Sequence, residues 1–351
     1  MAGHVQHRPF EADLDAVVEI AADAFRSLNG ANVFITGGTG FVGSWLLETF
    51  TWAVDRLALD AQVTVLSRDP DAFAAKAPHL AAHRAVRMIA GDVRSFAPLT
   101  DTVDLAIHAA TPASAALNEA APAEMVSIVV DGMRHVLDRL SPFGTIPMLF
   151  TSSGAVYGLQ PPELSHVPET YLGAPDPLDV GAAYHEAKRV AELLCATATA
   201  SGGPRAKIAR LFAFVGPYLP IDAHFAVGNF MRDALDGGPI VVGGDGTPFR
   251  SYLYASDMAA WCWRILVDAP PVRAFNVGSE HAVDIAGIAR AVASAVDEPV
   301  EVEVRGTPRP GVAPSRYVPS TERARVELGL EETVGFDDAM RRTVQWHRST
   351  R

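Results

Sequence analysis

Cysteine is scarce in this 351-residue chain: Cys195 and Cys262 are the only two. They lie far apart, each inside an apolar pattern of helical period, so both read as reduced core side chains rather than a disulfide framework or a metal site. Basic charge is also in short supply. The 29 Lys and Arg face 41 Asp and Glu, a formal net charge of −12, which works against binding a polyanion such as DNA or an anionic membrane surface. An anionic ligand must therefore be held by local donors. No run is apolar enough for a secretory signal or a membrane span; the most apolar later stretch, at 261–267, carries Arg264 with Asp257 upstream. Internal repeats and low-complexity tracts are missing too. The expectation is a cytoplasmic protein without nucleic-acid, membrane or metal partners, long enough for one large or two unequal domains.

What is present begins with Thr36-Gly37-Gly38-Thr39-Gly40-Phe41-Val42-Gly43. The apolar run before it, Ala31-Asn32-Val33-Phe34-Ile35-Thr36, reads as a buried parallel strand, and the sequence after it as a helix through Phe50. A glycine turn between strand and helix suits a pyrophosphate. Gly37 permits the tight turn, Gly40 lets the backbone approach the phosphates, and Gly43 lets helix and strand pack closely. The phosphate then meets free N–H groups at the helix N-terminus.

Upstream, Leu14, Val17, Val18, Ala21, Phe25 and Leu28 recur at helical spacing and end at Asn29-Gly30, predicting an amphipathic helix within a 1–30 extension. Downstream, Val63-Thr64-Val65-Leu66, Ala85-Val86-Arg87-Met88-Ile89, Leu105-Ala106-Ile107-His108, Pro147-Met148-Leu149-Phe150 and Lys207-Ile208-Ala209-Arg210-Leu211-Phe212 read as strands between helices. Such alternation predicts an α/β doubly wound parallel sheet, a Rossmann domain over 31–212 with a later strand from 251–280. After Phe212 Pro- and Gly-rich segments break the rhythm, predicting a smaller, irregular substrate-binding part over 213–351.

Tyr184-His185-Glu186-Ala187-Lys188 sets a phenol and an ammonium on one helix face. A cation beside a phenol favours the phenolate, so the spacing predicts a lowered tyrosine pKa and an acid/base able to take a proton from a hydroxyl. Phe150-Thr151-Ser152-Ser153-Gly154 ends a strand where ligands bind in such sheets; a serine there could orient the reacting oxygen. Ser152 reads equally well as a turn or cap residue. Together these features point to nicotinamide redox chemistry on a hydroxyl group.

With Gly91-Asp92-Val93, His108-Ala109-Ala110-Thr111, the turn ending Val156-Tyr157-Gly158, and the segment from Gly244 to Arg250, the chain resembles the extended short-chain dehydrogenase/reductases. More closely it resembles their nucleotide-sugar epimerase/dehydratase branch, over Ala31 to about Leu330. The resemblance implies Tyr184 as acid/base, Lys188 as its support and ribose ligand, and Ser153 as the third catalytic residue. It implies a cofactor site of Gly37, Gly40, Phe41, Val42, Gly43, Ser67, Arg68, Asp92, Val93, Ala109, Ala110 and Thr111, together with Tyr184 and Lys188. A nucleoside-diphosphate sugar would be gripped by Arg250 and Arg309, whose planar forks suit phosphate, with Asn229 and Ser153 as further contacts. A homodimer is implied by the same analogy.

Departures from the family narrow the reaction. Dehydratases and decarboxylases of this family carry acids just after the catalytic Ser or Thr, and here Gly154 and Ala155 stand there. Elimination needs a second acid/base, so 4,6-dehydratase and decarboxylase activities are disfavoured. Two expected asparagines are replaced, by Ala213 and Val129. At the end of the second strand Ser67 takes the place of the acid that would bind a ribose 2′-hydroxyl, and Arg68 could pair with a 2′-phosphate. The cofactor is thus NAD or NADP, with these two residues favouring NADP. The leading expectation is a carbon-4 epimerase; the alternatives are an NADP(H)-dependent 4-ketosugar reductase or dehydrogenase, and a non-catalytic nucleotide-binding protein.

Overall fold

Runs of Val, Ile, Leu and Phe, apolar toward both sides, form strands that helices must cover on both faces. The computed structural model describes residues 10–112, 114–222, 225–298 and 300–351. Its main sheet contains β1 (Asn32–Thr36), β2 (Gln62–Ser67), β3 (Val86–Ala90), β4 (Leu105–His108), β5 (Pro147–Ser153), β6 (Arg205–Leu211) and an edge strand, Ala274–Val277. All seven pair in parallel, in the order Ala274–Val277, β6, β5, β4, β1, β2, β3. Strand order therefore reverses between β1 and β4, and the crevice above their carboxyl ends is the ligand-binding position of such a sheet. Thr36 and His108 pair in register there, and Thr36 Oγ1 lies 2.7 Å from His108 Nδ1.

Helix α3 (Phe41–Arg56) follows the glycine turn and is buried at every residue from Gly43 to Val54. The helix Ala255–Asp268, whose apolar sequence is confirmed as core, packs beside it. Trp263 stacks on Phe50 with ring centroids 5.9 Å apart and donates from Nε1 to Thr49 Oγ1 at 2.9 Å. Burying this indole removes much apolar surface from water while its N–H keeps a partner.

Three expectations need correction. The stretch 14–28 is two helices, α1 (Glu11–Ile20) and α2 (Ala22–Arg26), because Ala21 leaves helical dihedrals at φ −109° and ψ 23°. The break re-aims the chain, so that Ala24 is buried along with Phe25 and Leu28. The strand expected over 147–150 runs on to Ser153, where register with β6 continues to Leu211. The part after Phe212 is less irregular than its Pro and Gly content suggested. Phe214–Val215 pairs with Leu253–Tyr254, Ile240–Val242 with Val302–Val304, and Phe249–Arg250 lies between Val283–Asp284 and Arg316–Tyr317. These two- and three-residue pairings join segments distant in sequence, which periodicity cannot register.

Residues 1–9 of the expected extension lie outside the described residues, but α1 is part of the core: Leu14 and Val17 have no exposure. Leu14→Ala is expected to lower the unfolding free energy by about 2–5 kcal/mol, the cost of a cavity where a leucine is removed. Denaturant titration would measure it; a loss below half a kilocalorie would mean that α1 packs loosely.

Candidate active site

At the reversal point the glycine turn is built from close backbone approaches. Gly37 has φ +74°, and a Cβ on it would stand 2.4 Å from the carbonyl of Ala109 and 2.6 Å from Ala110 N. A Cβ on Gly43 would lie 2.2 Å from Gly37 O and 2.5 Å from Gly38 Cα. Both sites exclude any side chain, so the turn closes tightly against β4 and α3. Gly40 differs: its Cβ would meet nothing nearer than 3.7 Å. Gly40 is the N-cap of α3 and no side chain caps that end, so the first-turn N–H groups of Phe41 and Val42 are free to meet an anion. This cradle fits the pyrophosphate of a dinucleotide.

At the end of β2, Ser67 is buried and its Oγ accepts from Asp69 N at 3.2 Å, while Arg68 is exposed. The Asp92 carboxylate accepts from Arg94 Nε and a terminal nitrogen at 2.9 and 3.0 Å. Those bonds hold its pKa down at about 2, and Arg68 adds a weaker pull in the same direction. Arg94, which sequence reasoning did not single out, also reaches Glu124 at 2.7 Å. Val93 is buried where Gly132 leaves room for it.

Ser153, Tyr184 and Lys188 come together at the end of β5. Ser153 caps the turn Gly154–Tyr157, accepting from Ala155 N at 3.1 Å, and its side chain lies beside that of Tyr184. Tyr184 stands in the first turn of the helix Ala183–Ala200, its backbone N–H donating to Asn118 Oδ1 at 2.9 Å. Lys188, one turn further, is 2% exposed. Its Nζ donates to Thr151 O at 2.7 Å and to Thr111 Oγ1 at 3.1 Å, 4.7 Å from the Phe150 ring centroid and 5.8 Å from that of Tyr184.

This geometry corrects the expected phenol. Burial raises the Tyr184 pKa, and the neighbouring Ser153 hydroxyl offsets this in part. The Lys188 ammonium lies near the phenol as the four-residue spacing predicted, but its bonds go to Thr151 and Thr111. Burial in turn depresses Lys188 to about 7, against the opposing pull of Glu192. His108 is pushed down to about 3 by burial and by Lys188, so it is neutral. Ser152 is neither turn nor cap: its hydroxyl donates to Glu192 Oε1 at 2.6 Å. Glu192 also receives Arg210, at 3.0 and 2.7 Å, and Arg210 reaches Tyr157 Oη at 2.9 Å. Sequence reasoning missed this network; the four-residue step from Lys188 to Glu192 was the one signal for it.

The expected substrate residues sit on neighbouring segments. Arg250 donates to Phe249 O at 2.8 Å, inside the small sheet that also holds Arg316–Tyr317. Arg309 is exposed, and its charge helps to lower the Asp245 pKa beside the Gly244–Gly306 backbone contact. Asn229 Oδ1 accepts from Arg232 at 3.2 Å on the helix Ala226–Leu235.

A glycine cradle at the reversal point of a parallel sheet, with a serine, tyrosine and lysine facing it, defines a Rossmann-type dinucleotide-binding enzyme. The profile of the NAD dependent epimerase/dehydratase family matches residues 33–278, and the chain belongs to that family. UDP-glucuronic acid decarboxylase 2 of Arabidopsis thaliana is 32% identical over 312 residues, which cover 88% of this chain and 66% of the relative. Among solved structures, UDP-glucose 4-epimerase with UDP-glucose from Thermotoga maritima superposes with a TM-score of 0.76 at 20% identity, covering 91% of this chain and 99% of the other. The Bordetella bronchiseptica enzyme WbmF in complex with NADH gives a TM-score of 0.76 at 22% identity, covering 92% and 94%. Among the described residues no helix is long and apolar enough to cross a membrane.

Lys188 also makes a prediction about stability. Its folded-state pKa, about 7, lies below the ordinary lysine value of 10.5. Below pH 7 both states hold the proton and the folded state bears the full cost of burying it. From about pH 7 to about 10 the folded state has lost a proton that the unfolded chain keeps, so stability rises with pH. Lys188→Met is therefore expected to be more stable than the parent below pH 7, with the advantage shrinking toward pH 10. Denaturant midpoints at several pH values test this, and an advantage that grows with pH would contradict it.

Proposed function

We propose that this protein oxidises a ring hydroxyl of a nucleoside-diphosphate sugar and reduces the resulting keto carbon on its opposite face, a net epimerisation at carbon 4. The observation that carries this reading is the composition of the site: Ser153, Tyr184 and Lys188 meet, and Gly154 and Ala155 beside them supply no further acid. An epimerisation returns every atom it removes and needs no second acid/base, unlike an elimination.

Tyr184 takes the hydroxyl proton and later gives one back. Ser153 donates a hydrogen bond to the reacting oxygen or to the phenol and holds the two in line. The nicotinamide of a bound dinucleotide would accept and return hydride at the same carbon. Lys188 lowers the cost of a phenolate through its charge and holds the ribose of the cofactor. Gly37, Gly40, Gly43, Phe41 and Val42 hold the pyrophosphate, with Ala109, Ala110 and Thr111 along its nicotinamide side and Asp92 and Val93 at the adenine. Arg250 and Arg309 take the substrate diphosphate and Asn229 a polar group of the nucleotide. Ser67 and the exposed Arg68 support NADP, whereas the family is NAD dependent; nucleotide released on denaturing the purified protein identifies the cofactor. Val126, Val190 and Leu193 are exposed on the mutually packed helices Pro122–Leu140 and Ala183–Ala200, which supports a homodimer, measurable by light scattering.

A second reading is decarboxylation of a nucleotide-linked uronic acid. The residues after Ser153 weigh against it, but the curated relatives, at about three-tenths identity over most of this chain, are UDP-glucuronic acid decarboxylases. Both readings share the first oxidation and Tyr184. Incubation with UDP-glucose and, separately, UDP-glucuronate in the presence of either dinucleotide decides between them. Inversion at carbon 4 without loss of carbon supports the epimerase; release of carbon dioxide replaces it with the decarboxylase; net consumption of NADPH by a keto sugar replaces both with a reductase. In whichever assay turns over, Tyr184→Phe is expected to reduce kcat by about 10²- to 10⁴-fold with cofactor still bound. Undiminished turnover would remove Tyr184 from the mechanism.

A further inference from the structure

The space that a side chain at position 154 would need is taken by residues far away in sequence. A Cβ on Gly154 would stand 2.7 Å from Tyr317 Oη and 2.6 and 2.8 Å from Phe212 Cζ and Cε1. The Tyr317 and Phe212 rings, with centroids 4.7 Å apart, fill that space together, next along the chain from Ser153. Phe212 brings only carbon there; Tyr317 brings a hydroxyl.

Backbone pairings fix where this phenol comes from. In the parallel pair of Arg316–Tyr317 with Phe249–Arg250, Arg316 stands opposite Phe249 and Tyr317 opposite Arg250. Successive strand residues face opposite sides, so Arg250 and Tyr317 share one face while Phe249 and Arg316 share the other. The Arg316 guanidinium carbon, 4.2 Å from the Phe249 ring centroid, agrees with that assignment. On the other flank Val318 N–H donates to Gln160 Oε1 at 2.9 Å, Val167 N–H to Val318 O at 2.9 Å, and Ser320 N–H to Val167 O at 2.9 Å. The segment is thus pinned on both sides. Its phenol starts level with Arg250 and ends beside Ser153.

Those two ends bound a sugar. On the reading above, Arg250 takes the substrate diphosphate while Ser153 and Tyr184 take the oxygen on carbon 4, so the ring between them runs along Tyr317. The Tyr317 hydroxyl stands where an acid at position 154 would project, and the second acid/base of a 4,6-elimination must reach the group leaving carbon 6. Burial holds the Tyr317 phenol above the ordinary tyrosine range, so at neutral pH it is an uncharged donor and acceptor, suited to a hydroxyl. We propose that Tyr317 is a specificity-determining residue that hydrogen-bonds the carbon-6 hydroxyl of the substrate sugar from the space Gly154 leaves open.

This deepens the nucleotide-sugar reading and rests on it, and the test measures binding rather than turnover. Isothermal titration in the Tyr184→Phe background, which holds substrate without converting it, compares UDP, UDP-glucose and UDP-6-deoxyglucose with and without Tyr317→Phe. The substitution is expected to weaken UDP-glucose about three- to tenfold, the worth of one neutral hydrogen bond, and to leave UDP and UDP-6-deoxyglucose unchanged. With Tyr317 intact, UDP-6-deoxyglucose is expected to bind more weakly than UDP-glucose by the same factor. Arg250→Ala is expected to weaken all three. Equal losses of UDP and UDP-glucose in Tyr317→Phe would make the tyrosine a strut for the Arg250 strand and overturn the proposal. Equal binding of the two sugars with Tyr317 intact would overturn it too, and that comparison stands even if Tyr317→Phe does not fold. Binding of none of the three would overturn it together with the nucleotide-sugar reading. Failure to invert carbon 4 in the turnover assays, with the sugar discrimination intact, would remove the epimerase reading and leave Tyr317 its role.

Discussion

A buried ammonium organises the crevice. Lys188 has almost no contact with solvent, and an isolated charge so placed would cost several kilocalories. It is tolerated because Thr151 at the end of β5 and Thr111 after β4 both accept from it, and because Glu192 lies one helical turn away. Those partners tie together the two strands and the helix that carry the reacting groups. Glu192 is itself held by Ser152 and Arg210, Arg210 by Tyr157, and Tyr157 by Asn276 Oδ1 at 2.7 Å. The charge at the site therefore rests on a polar chain that crosses β5 and β6 and ends on the edge strand Ala274–Val277. Satisfied networks of this kind are rigid, and rigidity is what a proton-transfer site needs.

The parts of this arrangement legible in the sequence were the local ones. The glycine turn states its conformation within eight residues, and Tyr184 and Lys188 are placed together by helical period alone. The parallel sheet followed from the alternation of apolar runs, since a helical crossover brings the chain back to the end of the sheet from which the preceding strand set out. What periodicity cannot encode is which distant segments meet. Tyr317, Arg210 and Asn276 reach the site through strand pairings between remote residues, and nothing adjacent to them in sequence announces it. The same limit explains the Tyr184 phenol: spacing correctly put Lys188 nearby, but whether an ammonium turns to the phenol or to a carbonyl depends on Thr151 and Thr111, which only the fold supplies.

The substrate side shows how small pairings do large positioning. Arg250 and Tyr317 are register partners across two short strands, and the backbone contact between Gly306 and Gly244 draws the segment bearing Arg309 alongside the loop before Arg250. A Cβ on Gly306 would lie 2.5 Å from Asp245 N, so the approach depends on glycine. Short pairings between remote stretches thus bring the segments of Arg250, Tyr317 and Arg309 side by side.

At the far side of the core, Asp13 in α1 accepts from Tyr254 Oη at 2.8 Å and from Arg342 in the helix Phe336–Thr350. The carboxylate is 6% exposed, and its cationic partner lies 329 positions away. The pair fastens the first described helix to the last, and the buried carboxylate in α1 depends on a cation carried by the C-terminal helix. Loosening the C-terminal helix would therefore leave a buried, uncompensated charge at the opposite end of the chain, so damage at one terminus is felt at the other.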